Sequence, residues 1–171
     1  MTLIPHALFG AAVASFVPSH PVAAFGVAFA SHFVLDAIPH KDYELRSIQK
    51  SKDNRLQFVQ AVDLTYRFVM DVLTVSADAL AGIALSFMFF FNPAEPWLFL
   101  VGAIGGILPD FVKFLYILSK NKALKYFDHL HYNVIHSKRV FSVPQQVGVL
   151  IQYVTVSILI LGVEVVKYMI S

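Results

Sequence analysis

The sequence contains no cysteine, which excludes a disulfide framework and a thiolate metal site. Charged residues are also scarce, at 14% of the 171 residues against about 25% in ordinary soluble domains. The net charge of +2 is too small to indicate a nucleic-acid partner. Residues 1–10 lack the basic region of a signal peptide, so we expect no cleaved leader.

Apolar residues are abundant, at 57% of the chain, and they occur in long runs. We predict one all-α domain over residues 1–171, a polytopic membrane bundle of about five spans. The polar segment near residues 122–139 is predicted to form a short amphipathic cytosolic helix. The predicted spans cover residues 3–17, 22–38, 68–91, 97–118 and 147–170, the third lying within a longer helix that begins near residue 56.

Basic residues are distributed unequally between the two sides of these spans. Residues 40–55 and 119–139 hold five Lys or Arg each, ten in all, whereas the turns at 18–21 and 92–96 hold none and only Lys167 follows. Cytosolic loops carry such an excess of positive charge. We therefore predict a protein integral to the inner (plasma) membrane, with its N-terminus in the cytosol and its C-terminus outside.

Several ionisable residues interrupt the apolar runs at similar predicted depths. At about 1.5 Å per residue, they lie roughly 16–22 Å from the outer ends of four spans. Charged groups in membrane segments are costly and usually functional. These five candidate metal ligands are His6, His32, Asp36, Asp78 and Asp110.

Spacing and charge both favour a shared cation site. His32 and Asp36 are four residues apart, so their side chains share one helix face. With Asp71, the layer contains four carboxylates, which Arg67 and Lys113 balance only in part. The remaining negative charge requires protons or a divalent ion. Histidine nitrogens and carboxylate oxygens suit Zn²⁺ best here, with Mn²⁺ or Fe²⁺ also possible.

A second polar group lies in the predicted cytosolic loops. His136 in these loops, and Asp71 or Asp36 in the predicted spans, are candidates for a general acid or base. Arg46, Lys138 and Arg139 are candidates for binding an anionic substrate through their positive charge. The pattern leaves open the roles of His40, His129 and His131.

Three segments resemble a known family: P-H-A-L-F-G at the N-terminus, S-H-F-V-L-D-A-I-P-H, and G-A-I-G-G-I-L-P-D. They are similar to the YdjM-like membrane-bound metal-dependent hydrolases, a group thought to be distantly related to zinc-dependent phospholipase C and P1-type nucleases. The resemblance implies an all-α zinc enzyme with His6, His32, Asp36 and Asp110 as ligands. In this chain Phe111-Val112-Lys113 follows the L-P-D, where the family often has I-D-H.

We therefore expect a metal-dependent hydrolase that cleaves a phosphoester, such as a phospholipid or lipid-linked headgroup, at the cytosolic leaflet. Two other functions also fit intramembrane acids. One is an ion- or proton-coupled transporter. The other is a non-catalytic membrane partner protein whose polar core is structural.

Overall fold

The computed structural model describes residues 2–38, 40, 43, 45–50, 59–62, 64–131 and 144–170. These residues form six α-helices and one short pair of strands. In chain order the elements are α1 (Leu3–Ala14), α2 (Pro21–Asp36), β1 (Ile48–Lys50), β2 (Val59–Val62), α3 (Tyr66–Phe90), α4 (Leu98–Ser119), α5 (Lys122–Asp128) and α6 (Gln145–Ile170).

Three of the helices, α3, α4 and α6, are long and apolar enough to cross a membrane. They contain 25, 22 and 26 residues. The other two apolar helices, α1 and α2, have 12 and 16 residues. At about 1.5 Å per residue they reach roughly 18 and 24 Å, less than a hydrocarbon core of about 30 Å. Length and composition therefore support three of the five predicted spans.

The prediction that the third helix begins near residue 56 is wrong. Residues 59–62 form strand β2, which pairs antiparallel with β1 and sets Ile48 opposite Val62, and α3 begins only at Tyr66. The sequence Val59-Gln-Ala-Val62 alternates apolar and polar residues in part and contains two β-branched residues, as strands do. Its partner β1 lies earlier in the chain, outside the segment that was assigned to the helix, so helical periodicity alone did not reveal the pairing.

Helix α1 is the innermost element of the bundle. It contacts α2, α3, α4 and α6, and nine of its twelve residues are buried. Most of these are small or apolar, so the helix can be enclosed closely on several sides. In contrast, α3 buries only Gly82 and Ser86. A polar side chain on α1 therefore points into the protein.

Helices α1 and α4 touch through their backbones at two glycines. A Cβ atom on Gly106 would overlap the carbonyl oxygen of His6, and one on Gly10 would overlap the carbonyl oxygen of Gly102. Glycine permits this close approach because it has no side chain. The contact sets His6 on α1 beside the middle of α4.

Helix α5 returns the chain to the end of α2. The Asn121 side chain accepts a hydrogen bond from the Ala123 N–H at 2.8 Å and so caps α5. The chain continues into a π-helical turn at residues 129–131. Phe127 lies against Phe29 and Phe33, with ring centroids 6.3 Å apart in both pairs, whereas Tyr126 is exposed. Residues 132–139 of the predicted amphipathic segment lie outside the described residues.

We predict that Gly106→Ala destabilises the protein by about 1–3 kcal/mol, because the added methyl group forces α4 away from α1. Thermal unfolding in detergent, followed by circular dichroism, measures the effect. Gly162→Ala on α6 is a matched control, since nothing lies within 4 Å of a Cβ placed there. We expect that control to be neutral or slightly stabilising. Equal unfolding temperatures for both variants would contradict the close α1–α4 contact.

Candidate metal centre

Five side chains from four parts of the fold converge inside the bundle. We call them the His/Asp cluster: His6 from α1, His32 and Asp36 from α2, Asp110 from α4, and His131 from the turn after α5. Two groups of three could each hold a metal ion, with donor atoms within 4.8 Å of one another. One group is His6, His32 and Asp110, and the other is His32, Asp36 and His131.

Asp36 lies at the centre of the cluster and is almost completely buried. Its Oδ2 atom is 2.6 Å from His131 Nε2 and 3.1 Å from His32 Nε2. Its Oδ1 atom is 3.3 Å from His6 Nε2 and 3.7 Å from His40 Nε2. The carboxylate thus faces two imidazoles with each of its oxygens.

The backbone fixes the orientation of His32. Its Nδ1 atom lies 2.8 Å from the carbonyl oxygen of Gly106. A carbonyl can only accept, so Nδ1 carries a proton and donates it. In the neutral ring, Nε2 then has a lone pair directed at Asp36. Metal-binding histidines commonly donate their other N–H to a backbone carbonyl in this way.

His40 repeats this arrangement from the end of α2. It is buried, and its Nδ1 atom donates to the Ile38 carbonyl oxygen at 2.6 Å. Its Nε2 atom faces Asp36 Oδ1. His40 therefore lies at the edge of the cluster, outside both groups of donors.

His6 is completely buried, yet neither of its ring nitrogens makes a hydrogen bond to any described residue. Its Nε2 atom is near Asp36 Oδ1 but without hydrogen-bond geometry. The ring stacks on His32, with centroids 3.9 Å apart. A buried imidazole without a hydrogen bond is costly unless another group uses its lone pair. A metal ion would do so.

The spacing of the donors also fits a metal ion. His32 Nε2, His131 Nε2 and Asp36 Oδ2 form a triangle with sides of 3.0, 2.6 and 3.1 Å. Ligand atoms around a tetrahedral Zn²⁺ with bonds near 2.0–2.1 Å lie about 3.3 Å apart. The observed triangle is slightly smaller. Two imidazole nitrogens and a carboxylate oxygen lie close together here, so they require a proton or a cation between them.

Asp110 is the most accessible member of the cluster. Its side chain is 24% exposed, and its Oδ1 atom lies 4.0 Å from His32 Nε2. The other four members are almost fully buried. A molecule that enters the cluster from outside would therefore meet Asp110 first.

The structure does not bring two of the predicted acids into the cluster. Asp78, a predicted metal ligand, accepts hydrogen bonds from the Leu3 N–H at 2.5 Å and from the Tyr43 hydroxyl, and it belongs to neither group of donors. Asp71, a predicted acid or base, accepts from the N–H and hydroxyl of Ser47. Both carboxylates bind other parts of the chain instead. The sequence predicted their depth along α3 but not the direction in which they project from the helix.

The predicted substrate-binding residues are only partly described. Arg46 is exposed and lies close enough to Asp71 to interact with it electrostatically. His136, Lys138 and Arg139 lie outside the described residues.

His131 is the member that sequence reasoning did not assign. It is one of three histidines within residues 129–136, and this local density was its only signal. The π-helical turn directs His131 inward, while His129, two residues earlier, is exposed. Such turns occur frequently at functional sites.

Comparison with known proteins provides no family assignment, since neither a family model, nor a curated protein sequence, nor a solved structure matches the chain. The resemblance to the YdjM-like hydrolases therefore stays a prediction. The case for a metal centre depends on the geometry of the cluster.

We predict that His131→Ala weakens binding of Co²⁺ or Zn²⁺ at least about tenfold. The substitution removes a candidate ligand atom, Nε2, that lies within 3.0 Å of His32 Nε2 and Asp36 Oδ2. Metal titration of chelator-treated protein in detergent measures the affinity. His129→Ala is the matched control and should bind like the wild type. Equal affinities for His131→Ala and the wild type would exclude His131 as a ligand.

Proposed function

We propose that this protein is an integral membrane, metal-dependent hydrolase that acts on a phosphoester, such as a lipid headgroup, at the cytosolic leaflet. One observation carries the proposal: three histidines and two aspartates from separate elements meet in a buried cluster. They do so in a chain with three helices of membrane-spanning length. Burying this many ionisable groups is costly, so their convergence favours a function.

The proposed topology places all five apolar helices in the membrane. Helix α1 is shorter than the hydrocarbon core, but its neighbours enclose it, so it does not need to span the lipid alone. Helix α2 reaches roughly 24 Å and is connected to α1 by a short turn. The basic segments at 40–55 and 119–139 support a cytosolic N-terminus and an external C-terminus.

The donor set supports one or two divalent ions, most plausibly Zn²⁺, with Mn²⁺ or Fe²⁺ as alternatives. His32 is common to both groups of donors, but its Nδ1 is bound to Gly106. Only Nε2 is available, so His32 can bind one ion at a time. A second ion would depend on the remaining donors, His6 and Asp110, together with the Oδ1 side of Asp36.

In this proposal each protein group has a distinct task. A divalent ion would polarise the phosphoryl oxygen and lower the pKa of the attacking water. With a single ion at His32, Asp36 and His131, Asp110 is not a ligand, and this accessible carboxylate would accept the proton of that water as the general base. Gly106 fixes the His32 ring through its carbonyl group, and Asp36 holds the imidazoles together. Arg46, with Lys138 and Arg139, would attract the anionic headgroup.

The test is hydrolysis of phospholipids with different headgroups in mixed micelles, measured as release of phosphate or phosphorylated headgroup. We expect Zn²⁺-loaded wild type to be active and chelator-treated protein to be inactive. Asp110→Asn should lower the rate by about 10²-fold or more, because it removes the general base.

Glu164→Gln is the matched control, since Glu164 is exposed and pairs with Lys167 at the far end of α6. It should retain full activity. Metal-loaded wild type that hydrolyses none of the phosphoesters would refute the hydrolase. Ion flux in proteoliposomes under the same conditions would then indicate a transporter.

A further inference from the structure

One carboxylate on α3, that of Asp78, binds two separate parts of the chain at once. It accepts from the N–H groups of Leu3 at 2.5 Å and Ile4 at 3.3 Å, which belong to the first turn of α1. It also accepts from the Tyr43 hydroxyl. Asp78 therefore connects the start of α1, the segment after α2, and α3.

The segment after α2 is fastened to α3 at a second position. Ser47 donates to Asp71 from its backbone N–H at 2.8 Å and from its hydroxyl at 2.6 Å. Asp71 and Asp78 are seven residues apart, so they lie on one face of α3, two turns from each other. Tyr43 and Ser47 thus anchor this segment along α3.

Both parts that Asp78 holds carry a histidine to the same side of Asp36. His6 follows Leu3 by three residues within α1, and His40 precedes Tyr43 by three residues. These two imidazoles face the Oδ1 atom of Asp36, whereas His32 and His131 face Oδ2. The two histidines that face Oδ1 of Asp36 therefore belong to chain segments that both bind Asp78.

We propose that Asp78 is a positioning residue of the metal centre, which holds α1 and Tyr43 so that His6 and His40 face the Oδ1 atom of Asp36. The inference rests on the proposed function, because it assumes that the His/Asp cluster binds a metal ion. Asp78 then acts through the two histidines rather than as a ligand itself.

A carboxylate suits this task better than an amide. All three donors reach one oxygen of Asp78, Oδ2. An ionised carboxylate oxygen accepts such hydrogen bonds more strongly than a neutral amide oxygen does, and negative charge is favourable at a helix N-terminus. An asparagine oxygen at the Oδ2 position would accept these hydrogen bonds more weakly and would carry no negative charge. Burial and the neighbouring Asp78 carboxylate raise the pKa of Tyr43, so its hydroxyl stays protonated and continues to donate.

The test compares Asp78→Asn and Tyr43→Phe with the wild type and with Ser86→Ala. Ser86 is buried two turns further along α3 and donates only within its own helix, to the Gly82 carbonyl oxygen, among the described contacts. Each full-length protein is purified in detergent, stripped of metal and titrated with Co²⁺. The visible Co²⁺ spectrum reports the ligands, and thermal unfolding of the metal-free protein reports stability.

We expect Asp78→Asn to weaken Co²⁺ binding by about 10–100-fold and to change the spectrum, as loss of support for a ligand does. Tyr43→Phe should produce a smaller change in the same direction. It removes the hydroxyl that donates to Asp78 and accepts from the Leu3 N–H at 3.0 Å, but α1 keeps its hydrogen bonds to Asp78. Ser86→Ala should match the wild type in both measurements.

If Asp78→Asn lowers the unfolding temperature but keeps the wild-type affinity and spectrum, Asp78 is only a helix cap and the proposal is wrong. If Asp78→Asn does not fold, the Tyr43→Phe variant is the test of the positioning role. A Co²⁺ spectrum of Tyr43→Phe that is the same as that of the wild type then overturns the proposal. Absence of Co²⁺ binding by the wild type would instead refute the metal centre, and the positioning role with it.

Discussion

The interaction on which the rest of this structure depends is the contact between the buried Asp36 carboxylate and the four imidazoles that surround it. A negative charge inside a protein is very costly unless it is paired. Here the nearest nitrogens of His32 and His40 carry lone pairs in the neutral rings, because their Nδ1 atoms donate to backbone carbonyls. These lone pairs face a carboxylate, so the cluster requires protons on some of its atoms or a cation. The divalent cation that we propose would bind these lone pairs and balance the carboxylate charge.

Such a cluster can form only where helices approach closely. The side chain of His6 reaches Asp36 because α1 is enclosed by four other helices and its backbone touches α4 at Gly106. The same glycine accepts the hydrogen bond of His32. One residue without a side chain thus sets both the distance between two helices and the orientation of a proposed ligand. Packing and chemistry are coupled at this position.

Much of the cluster could be predicted from the sequence, and the failures have a common cause. His6, His32, Asp36 and Asp110 were identified because ionisable residues in apolar segments are exceptional. Asp78 satisfied the same criterion, but its carboxylate binds the start of α1 and Tyr43. The sequence gives the depth of a residue along its helix. Whether two residues share a site also depends on the direction in which each side chain projects and on the tilt of each helix. His131 lies outside any apolar run, so the criterion did not apply to it.

The sequence alone was sufficient to establish an apolar, helical chain whose basic residues are concentrated in two segments, since these properties depend on composition and local order. It also limited any metal to nitrogen and oxygen ligands, because cysteine is absent. The tertiary structure decided which polar groups meet. Strand β2 depends on its pairing with β1. The inward turn of His131 and the contacts of Asp78 depend on partners distant along the chain. Contacts of that kind are set by how the helices pack, and local periodicity carries no information about them.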